Sequence, residues 1–442
     1  MSALVRYFLH AGYTVGGYDR TETPLTRTLV DEGAQIHYTD SVALIPEACL
    51  DREHTLVVYT PAIPADHSEL LYFQEHGFDL QKRAQVLGTL TRQMRGLCVA
   101  GTHGKTTTTS MAAHLLHQSH VGCNAFLGGI TKNYGTNYLL APNADEPFVV
   151  IEADEFDRSF HHLRPYASVV TATDADHLDI YGTEEAYLES FAHYSSLIQP
   201  DGYLILHTGL KMEARPQEGV TVFSYSRDEG DFHAENLRIG GGRIVFDFIS
   251  PLENVKDVEL GVPVSINIEN GIAAMALAQI AGATAEELRE GMLSFAGVDR
   301  RFDFKVKDDK HVFLSDYAHH PEELRQSILS IREVFTGRKI AGIFQPHLYT
   351  RTRDFHREFA EALSLLDEVI LLDIYPAREL PIEGVTSDII FRDLRPDMKR
   401  RMAHKEDLPA IVRAEEFDVL MLLGAGDADD YCPELADIIR NR

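Results

Sequence analysis

The stretch Val99-Ala100-Gly101-Thr102-His103-Gly104-Lys105-Thr106-Thr107-Thr108 decides how the rest of the chain is read. Leu97 to Ala100 is a short apolar run that predicts a strand, and from Thr106 onward Met111, Ala112, Leu115 and Leu116 recur at helical spacing. Between the two lie two glycines and a lysine. A strand, a glycine-bearing turn and a helix N-terminus make a cradle of backbone N–H groups, with a lysine to reach terminal phosphates. The full phosphate-loop pattern has Gly where Val99 stands, so this is a shortened relative of it. Gly101, Thr102, His103, Gly104, Lys105, Thr106 and Thr107 are the expected nucleoside triphosphate contacts; the plainer alternative is a glycine turn with a surface lysine. At this point a kinase is as good a reading as any other phosphate chemistry.

Outward from the loop, the chain bounds its partners. Its 442 residues predict about two to four domains. Its 68 acidic against 41 basic residues give a net charge of −27, which argues against nucleic acid or an anionic membrane as main partner. A phosphate-bearing substrate then needs cationic groups and backbone N–H groups gathered locally. No run of eighteen apolar residues predicts a membrane span, and no basic segment followed by an apolar run predicts a signal peptide. Cys49, Cys98, Cys123 and Cys432 are scattered without metal spacing, which fits reduced thiols in a cytoplasmic protein.

The pattern along the chain is α/β in three domains. Residues 1–91 read as a Rossmann-like domain that opens on a helix, Met1 to Ala11, followed by a strand from Tyr13 to Tyr18 ending at Asp19. This is the second half of a βαβ unit, and loss of the first strand and its Gly-rich turn is the expectation. An acidic residue ending that second strand usually faces a bound nucleotide, which makes Asp19 a candidate substrate residue; a surface carboxylate is the equal alternative. Helices over 25–32 and 68–76 and a strand over 54–59 follow, then a linker near Leu87 to Arg95. Residues 92–297 form the central phosphate-loop domain, with strands at 148–151, 167–173 and 203–206 in a mostly parallel sheet, a hairpin about Gly240-Gly241-Gly242, and helices over 267–281 and 285–295. Residues 298–442 restart the alternation as a second Rossmann-like domain, with strands at 312–315, 339–344, 368–373 and 418–423 and helices over 322–334, 354–366 and 433–439. Gly424-Ala425-Gly426 reads as a tight turn.

Phosphoryl transfer needs hard cations, and these take oxygen ligands. Thr106, directly after Lys105, stands where a hydroxyl reaches Mg²⁺. The run Val149 to Ile151 leads into Glu152-Ala153-Asp154-Glu155-Phe156-Asp157, placing carboxylates at the tip of a neighbouring strand. The next strand ends in Thr173-Asp174-Ala175-Asp176-His177-Leu178-Asp179, whose His177 among carboxylates points to a second metal ligand, against a solvated acidic turn as the alternative. In the last domain Arg300-Arg301-Phe302, Asp316-Tyr317-Ala318-His319-His320-Pro321 and Gln345-Pro346-His347-Leu348-Tyr349-Thr350-Arg351-Thr352-Arg353 bring cationic groups to one sheet edge. Guanidinium forks there suit carboxylate or phosphate.

Taken together these residues resemble the Mur ligase family, ATP-dependent amide-forming enzymes of bacterial cell-wall synthesis. The resemblance rests on Glu152 to Glu155, Asp176 to Asp179, Arg300 to Phe302, Asp316 to Pro321, Phe344 to His347 with Tyr349 to Arg353, and Tyr375 to Ala377, in order and over essentially the whole chain. It implies a nucleotide-sugar domain, a central ATPase domain and a C-terminal domain for the amino acid. It implies ATP as cofactor with two Mg²⁺ ions: Lys105 on the β/γ-phosphates, Thr106 and Glu152 on one Mg²⁺, Glu152 with His177 on the second, and Arg301 facing the γ-phosphate. Asn267 and Asn270 would line the adenine and Asp316 the ribose. Tyr317, His319, His347 and Arg351 would orient the incoming amino acid and the muramoyl carboxylate. Ile266 and Leu348 depart from residues common in the family, His and Arg respectively, and the second removes one cation.

The branch implied joins L-alanine to the lactyl carboxylate of UDP-N-acetylmuramate through an acyl phosphate, the chain acting as monomer or homodimer. The three domains would close to keep water from that intermediate. Two alternatives accompany it: a recycling ligase that attaches a peptide to the same sugar, and a nucleotide-sugar binder inactivated by truncation.

Overall fold

The computed structural model describes residues 1–60, 63–141, 148–175, 178–377 and 379–442, with backbone alone at 178 and 179. The chain forms two compact units: Met1–Ala234 with Phe248–Val255 and Asn270–Met292, and Glu235–Asp247 with Lys256–Glu269 and Leu293–Arg442.

The first unit is built on a seven-stranded sheet in the order Thr221–Tyr225, Tyr203–His207, Ala167–Val170, Arg95–Ala100, Phe148–Glu152, Cys123–Thr131, Thr136–Leu139. Every pairing is parallel except the last. Leu97, Cys98, Val99 and Ala100 are fully buried, as are Val149, Val150 and Ile151 beside them. Both faces of these strands are covered, which is why the sequence shows unbroken apolar runs here rather than alternation. The chain leaves Arg95–Ala100, forms the helix Lys105–Gln118 and returns at Cys123–Thr131, with Phe148–Glu152 inserted between the two strands. Strand ends flanking such a switch in order open a crevice, and the glycine loop stands at its mouth.

The N-terminal alternation is present as expected: helix Ser2–His10, strand Gly16–Tyr18, helix Pro24–Asp31 and helix Ser68–Glu75. Its strands form two separate parallel pairs, Gly16–Tyr18 with Gln35–His37 and Leu56–Tyr59 with Asp79–Lys82. The expected linker near Leu87 to Arg95 is instead the helix Arg83–Gln93 running into the strand Arg95–Ala100. Gly88, Thr89 and Thr91 are weak helix formers, but Val86, Leu87 and Leu90 are buried with Phe160 and Leu163, and that burial overrides local propensity.

The second unit carries a six-stranded sheet in the order Asp303–Lys307, Val312–Asp316, Val419–Leu423, Ile340–Phe344, Glu368–Leu371, Lys399–Met402. Its first pair is antiparallel and the rest are parallel. Val419–Leu423 lies between two strands that are consecutive in the parallel run, so the segments leaving Asp316 and Phe344 part around it. The helix expected from Asp354 begins earlier, at Tyr349; a non-helical Phe355 divides it, and the apolar periodicity belongs to the part after that break. The hairpin is present, with Gly241 and Gly242 at φ +60 and +73 between His233–Gly240 and Arg243–Ile249.

Candidate active site

In the first unit the glycine loop is held from below. Thr102 N–H donates to the Ala172 carbonyl at 3.0 Å, and the Thr102 hydroxyl donates to the Asp174 carbonyl at 2.8 Å. Gly101 has φ +137, and a Cβ there would meet Thr171 Oγ1 at 2.1 Å and Ala172 N at 2.8 Å. Gly104, the residue before the helix, has φ +79, and its Cβ would meet Asn270 Oδ1 at 2.8 Å. Both positions therefore exclude side chains on conformational and steric grounds together. The result is a backbone cradle at the N-terminus of Lys105–Gln118 that fits a phosphate chain.

Lys105 Nζ donates to the Gly101 carbonyl at 2.6 Å and stands 2.8 Å from the Glu155 carboxylate. Burial pushes the Glu155 carboxyl up from its ordinary value, and the Lys105 ammonium opposes that shift. The Thr106 hydroxyl donates to Glu152 Oε1 at 3.1 Å, so the two oxygen groups assigned to one cation already face each other. A Cβ on Gly128 would lie 2.2 Å from Glu152 Oε2; this glycine, in the strand Cys123–Thr131, keeps the space that the carboxylate occupies. His177 lies outside the described residues, and among the described residues no group of three His, Cys, Asp or Glu is arranged to hold a metal. Asn270 accepts from the Thr108 hydroxyl at 3.2 Å. Asp19 is exposed at the end of Gly16–Tyr18, accepting from the Thr21 N–H at 3.1 Å.

A pocket of about 220 Å³ opens beside Glu152. Thr60, Lys82, Arg83, Glu152, Asp154 and Asp157 are among the residues that line it, with Lys82 Nζ 3.6 Å from the Asp157 carboxylate. The Lys82-Arg83 pair had no signal in the sequence beyond being adjacent cations at the end of a strand.

In the second unit Arg300 and Phe302 have φ +59 and +43, flanking Arg301. Arg300 is spent on the fold, donating to the Gly424 and Gly426 carbonyls at 3.1 and 3.0 Å. Both guanidinium groups lie over the Tyr317 ring, at 4.8 and 5.1 Å. Asp316 is buried, accepting from the Phe302 N–H at 3.2 Å and from the Ser327 hydroxyl, and burial pushes its carboxyl up. It thereby braces the turn that presents Arg301. Asn267 is buried and donates to the Val262 carbonyl at 3.1 Å. Gly424, at φ +125, follows the strand Val419–Leu423, and a Cβ there would meet the Gln345 carbonyl oxygen at 2.4 Å.

His319, His347 and Arg351 gather at the ends of Val312–Asp316 and Ile340–Phe344. The two imidazole rings are 6.0 Å apart, and His347 stacks on Tyr375 at 5.9 Å. Burial and the nearby Arg351 pull His347 down to about 4, so it is neutral at pH 7. Its Nδ1 and Arg351 Nη1 are buried without hydrogen-bond partners among the described residues. A guanidinium N–H left unpaired out of water is costly, and a carboxylate is the ligand whose geometry satisfies it.

Comparison with known proteins finds family matches over the segments that carry both sets of residues. Residues 1–95 match a family model described as Mur ligase family, catalytic domain; residues 99–278 match the Mur ligase middle domain, and residues 300–426 the Mur ligase, glutamate ligase domain. The chain is 62% identical over 442 residues to the UDP-N-acetylmuramate–L-alanine ligase of Phocaeicola vulgatus, covering 100% of this chain and 96% of that one. It is 59% identical over 440 residues to the protein of the same name from Parabacteroides distasonis, covering 99% and 95%. The crystal structure of UDP-N-acetylmuramate-alanine ligase MurC from Thermotoga maritima superposes with a TM-score of 0.80 at 26% identity, covering 100% of this chain and 96% of that one. The chain belongs to the Mur ligase family.

Proposed function

We propose that the chain joins L-alanine to the lactyl carboxylate of UDP-N-acetylmuramate at the expense of ATP, in the cytoplasm, as a step of peptidoglycan synthesis. Segments 1–91, 92–297 and 298–442 are assigned to the nucleotide sugar, ATP and the amino acid respectively. The observation that carries the reading is the glycine cradle with Lys105 held on a buried carboxylate, Glu155. A triphosphate entering that cradle offers Lys105 a stronger anion than Glu155.

A carboxylate is a poor electrophile, so one of its oxygens first attacks the γ-phosphorus to give an acyl phosphate and ADP. Lys105 and Arg301 neutralise the charge that develops on the transferring group. Mg²⁺, held by Thr106 and Glu152 with His177 serving a second ion, would supply further charge neutralisation in that step. Asn267, Asn270 and Asp316 are assigned to adenosine, and Asp19 to the nucleotide sugar. Lys82 and Arg83, which line the pocket beside Glu152, are assigned to anionic parts of the sugar substrate. Arg351 and His347, whose buried Nη1 and Nδ1 have no hydrogen-bond partner among the described residues, are assigned to the α-carboxylate of L-alanine, with Tyr317 and His319 completing that site. The alanine amine then displaces phosphate.

The test is phosphate release from ATP. Release that requires both UDP-N-acetylmuramate and L-alanine supports the reading. Release with the sugar and a peptide, but not with L-alanine, would assign the chain to peptide recycling instead.

A further inference from the structure

One half-buried carboxylate among the cations of the second unit has no part in the scheme so far. Glu323 lies in the first turn of the helix Pro321–Val334. Its Oε2 accepts from the backbone N–H groups of His319 at 2.9 Å and His320 at 3.1 Å, and stands 3.2 Å from His319 Nδ1. That same Nδ1 is 2.9 Å from the Tyr317 carbonyl oxygen. Both of these neighbours are acceptors only, so the proton of the neutral ring resides on Nδ1 and the lone pair on Nε2.

The charged and titratable groups facing the ring are Glu323, Arg351 and Arg301, with His347 and Tyr317 beside it. Burial, with Arg351 and Arg301, pulls the His319 pKa below its ordinary value, and Glu323 opposes them. Desolvation raises the Glu323 carboxyl, but attraction to the His319 ring in its protonated form and the backbone N–H bonds hold it below the usual carboxylate range. His319 is thus a neutral imidazole with a fixed lone pair, and a counter-charge waits at the ring's other nitrogen.

An amino acid reaches the site mostly as its ammonium form, and only the neutral amine can attack a carbonyl. We propose that His319 Nε2 takes the proton that the L-alanine ammonium must lose, and that Glu323 is the positioning residue that fixes the ring's tautomer and stabilises its protonated form. This rests on the ligase reading above. The proton passes from the ammonium nitrogen to Nε2. The neutral nitrogen then forms the C–N bond as the bond from carbon to the phosphate oxygen breaks, and phosphate departs with that electron pair and the second N–H proton.

Glu323→Gln separates this from simple helix capping, because the amide oxygen can still accept from the two backbone N–H groups. The full chain is assayed with L-alanine across pH, and with hydroxylamine in its place. Hydroxylamine is already neutral at pH 7 and traps an acyl phosphate as a hydroxamate without a base. The variant should lose about 10–100-fold in kcat with L-alanine. The acidic limb of its kcat/KM profile should move to lower pH, since the carboxylate no longer raises the ring's proton affinity. Hydroxamate formation and the KM for ATP should stay within about twofold. His319→Gln should lose the limb altogether while still forming hydroxamate, which keeps the test available if E323Q folds poorly. An unmoved pH profile in E323Q, or equal loss of amide and hydroxamate in both variants, overturns the proposal alone. A wild-type chain that makes neither amide nor hydroxamate overturns the ligase reading and this proposal with it.

Discussion

Lys105 and Glu155 are partners of very unequal legibility. The lysine stands in a motif whose chemistry is plain from spacing, whereas Glu155 is one of four acidic residues between Glu152 and Asp157 and nothing in the pattern picks it out. Only the fold shows it buried against Nζ. Removing one member of a buried ion pair costs about 3–5 kcal/mol, because the other charge is left uncompensated. Lys105→Met should therefore lower the thermal midpoint, and adding Glu155→Gln should restore most of it, while turnover stays down about 10³-fold in both. Thermal unfolding checks this: a double variant no more stable than the single would mean that the pair carries no ionic interaction. Arg351 is the converse case, a cation whose buried Nη1 lacks a partner among the described residues. Arg351→Ala should raise the KM for L-alanine about 10–100-fold and leave that for ATP alone, consistent with loss of a charge-assisted hydrogen bond. An unchanged KM for L-alanine would remove Arg351 from the amino-acid site.

Among elements, strands buried on both faces and their following turns were readable, because unbroken apolar runs ending in glycine or charge have few other meanings. Cys123–Thr131 was not anticipated: Gly128 and Gly129 dilute its strand signal. Yet Gly128 is what leaves room for Glu152. Gly128→Ala should push that carboxylate aside and raise the Mg²⁺ needed for half-maximal activity about 10-fold, read by titration; an unchanged Mg²⁺ requirement would separate Glu152 from metal binding. The phosphate-loop helix also carries a pH signature. His114 Nδ1 is 2.8 Å from the Tyr134 hydroxyl, and burial, with His117 nearby, pulls its pKa from 6.5 to about 4. Between those values the unfolded chain binds more protons than the folded one, so stability rises with pH through that window and is lost on acidification. His114→Gln should flatten that slope in urea unfolding followed from pH 4 to 6.5; a slope equal to the wild type's would show that His114 is not part of it.

For the whole molecule, the net charge of −27 made the few clustered cations informative, and their strand-end positions named the sheet edges that matter. What the sequence concealed was which residues are spent on structure. Arg300 and Arg301 are adjacent and identical in kind, but Arg300 is committed to the Gly424 and Gly426 carbonyls. Likewise Asp316 looks like a ligand residue, and its observed partners are Phe302 and Ser327. Those distinctions depend on contacts far apart in the chain, which no local pattern records. The proposed division of labour gives Lys105, Thr106 and Glu152 to phosphate, and His319, His347 and Arg351 to the amine substrate. The central claim is that the γ-phosphate is aimed at a carboxylate of the sugar. It is tested most directly by following an oxygen isotope placed in the lactyl carboxylate of UDP-N-acetylmuramate during turnover with ATP and L-alanine. The account predicts that one carboxylate oxygen per amide formed leaves in the released phosphate; phosphate free of the label would contradict it.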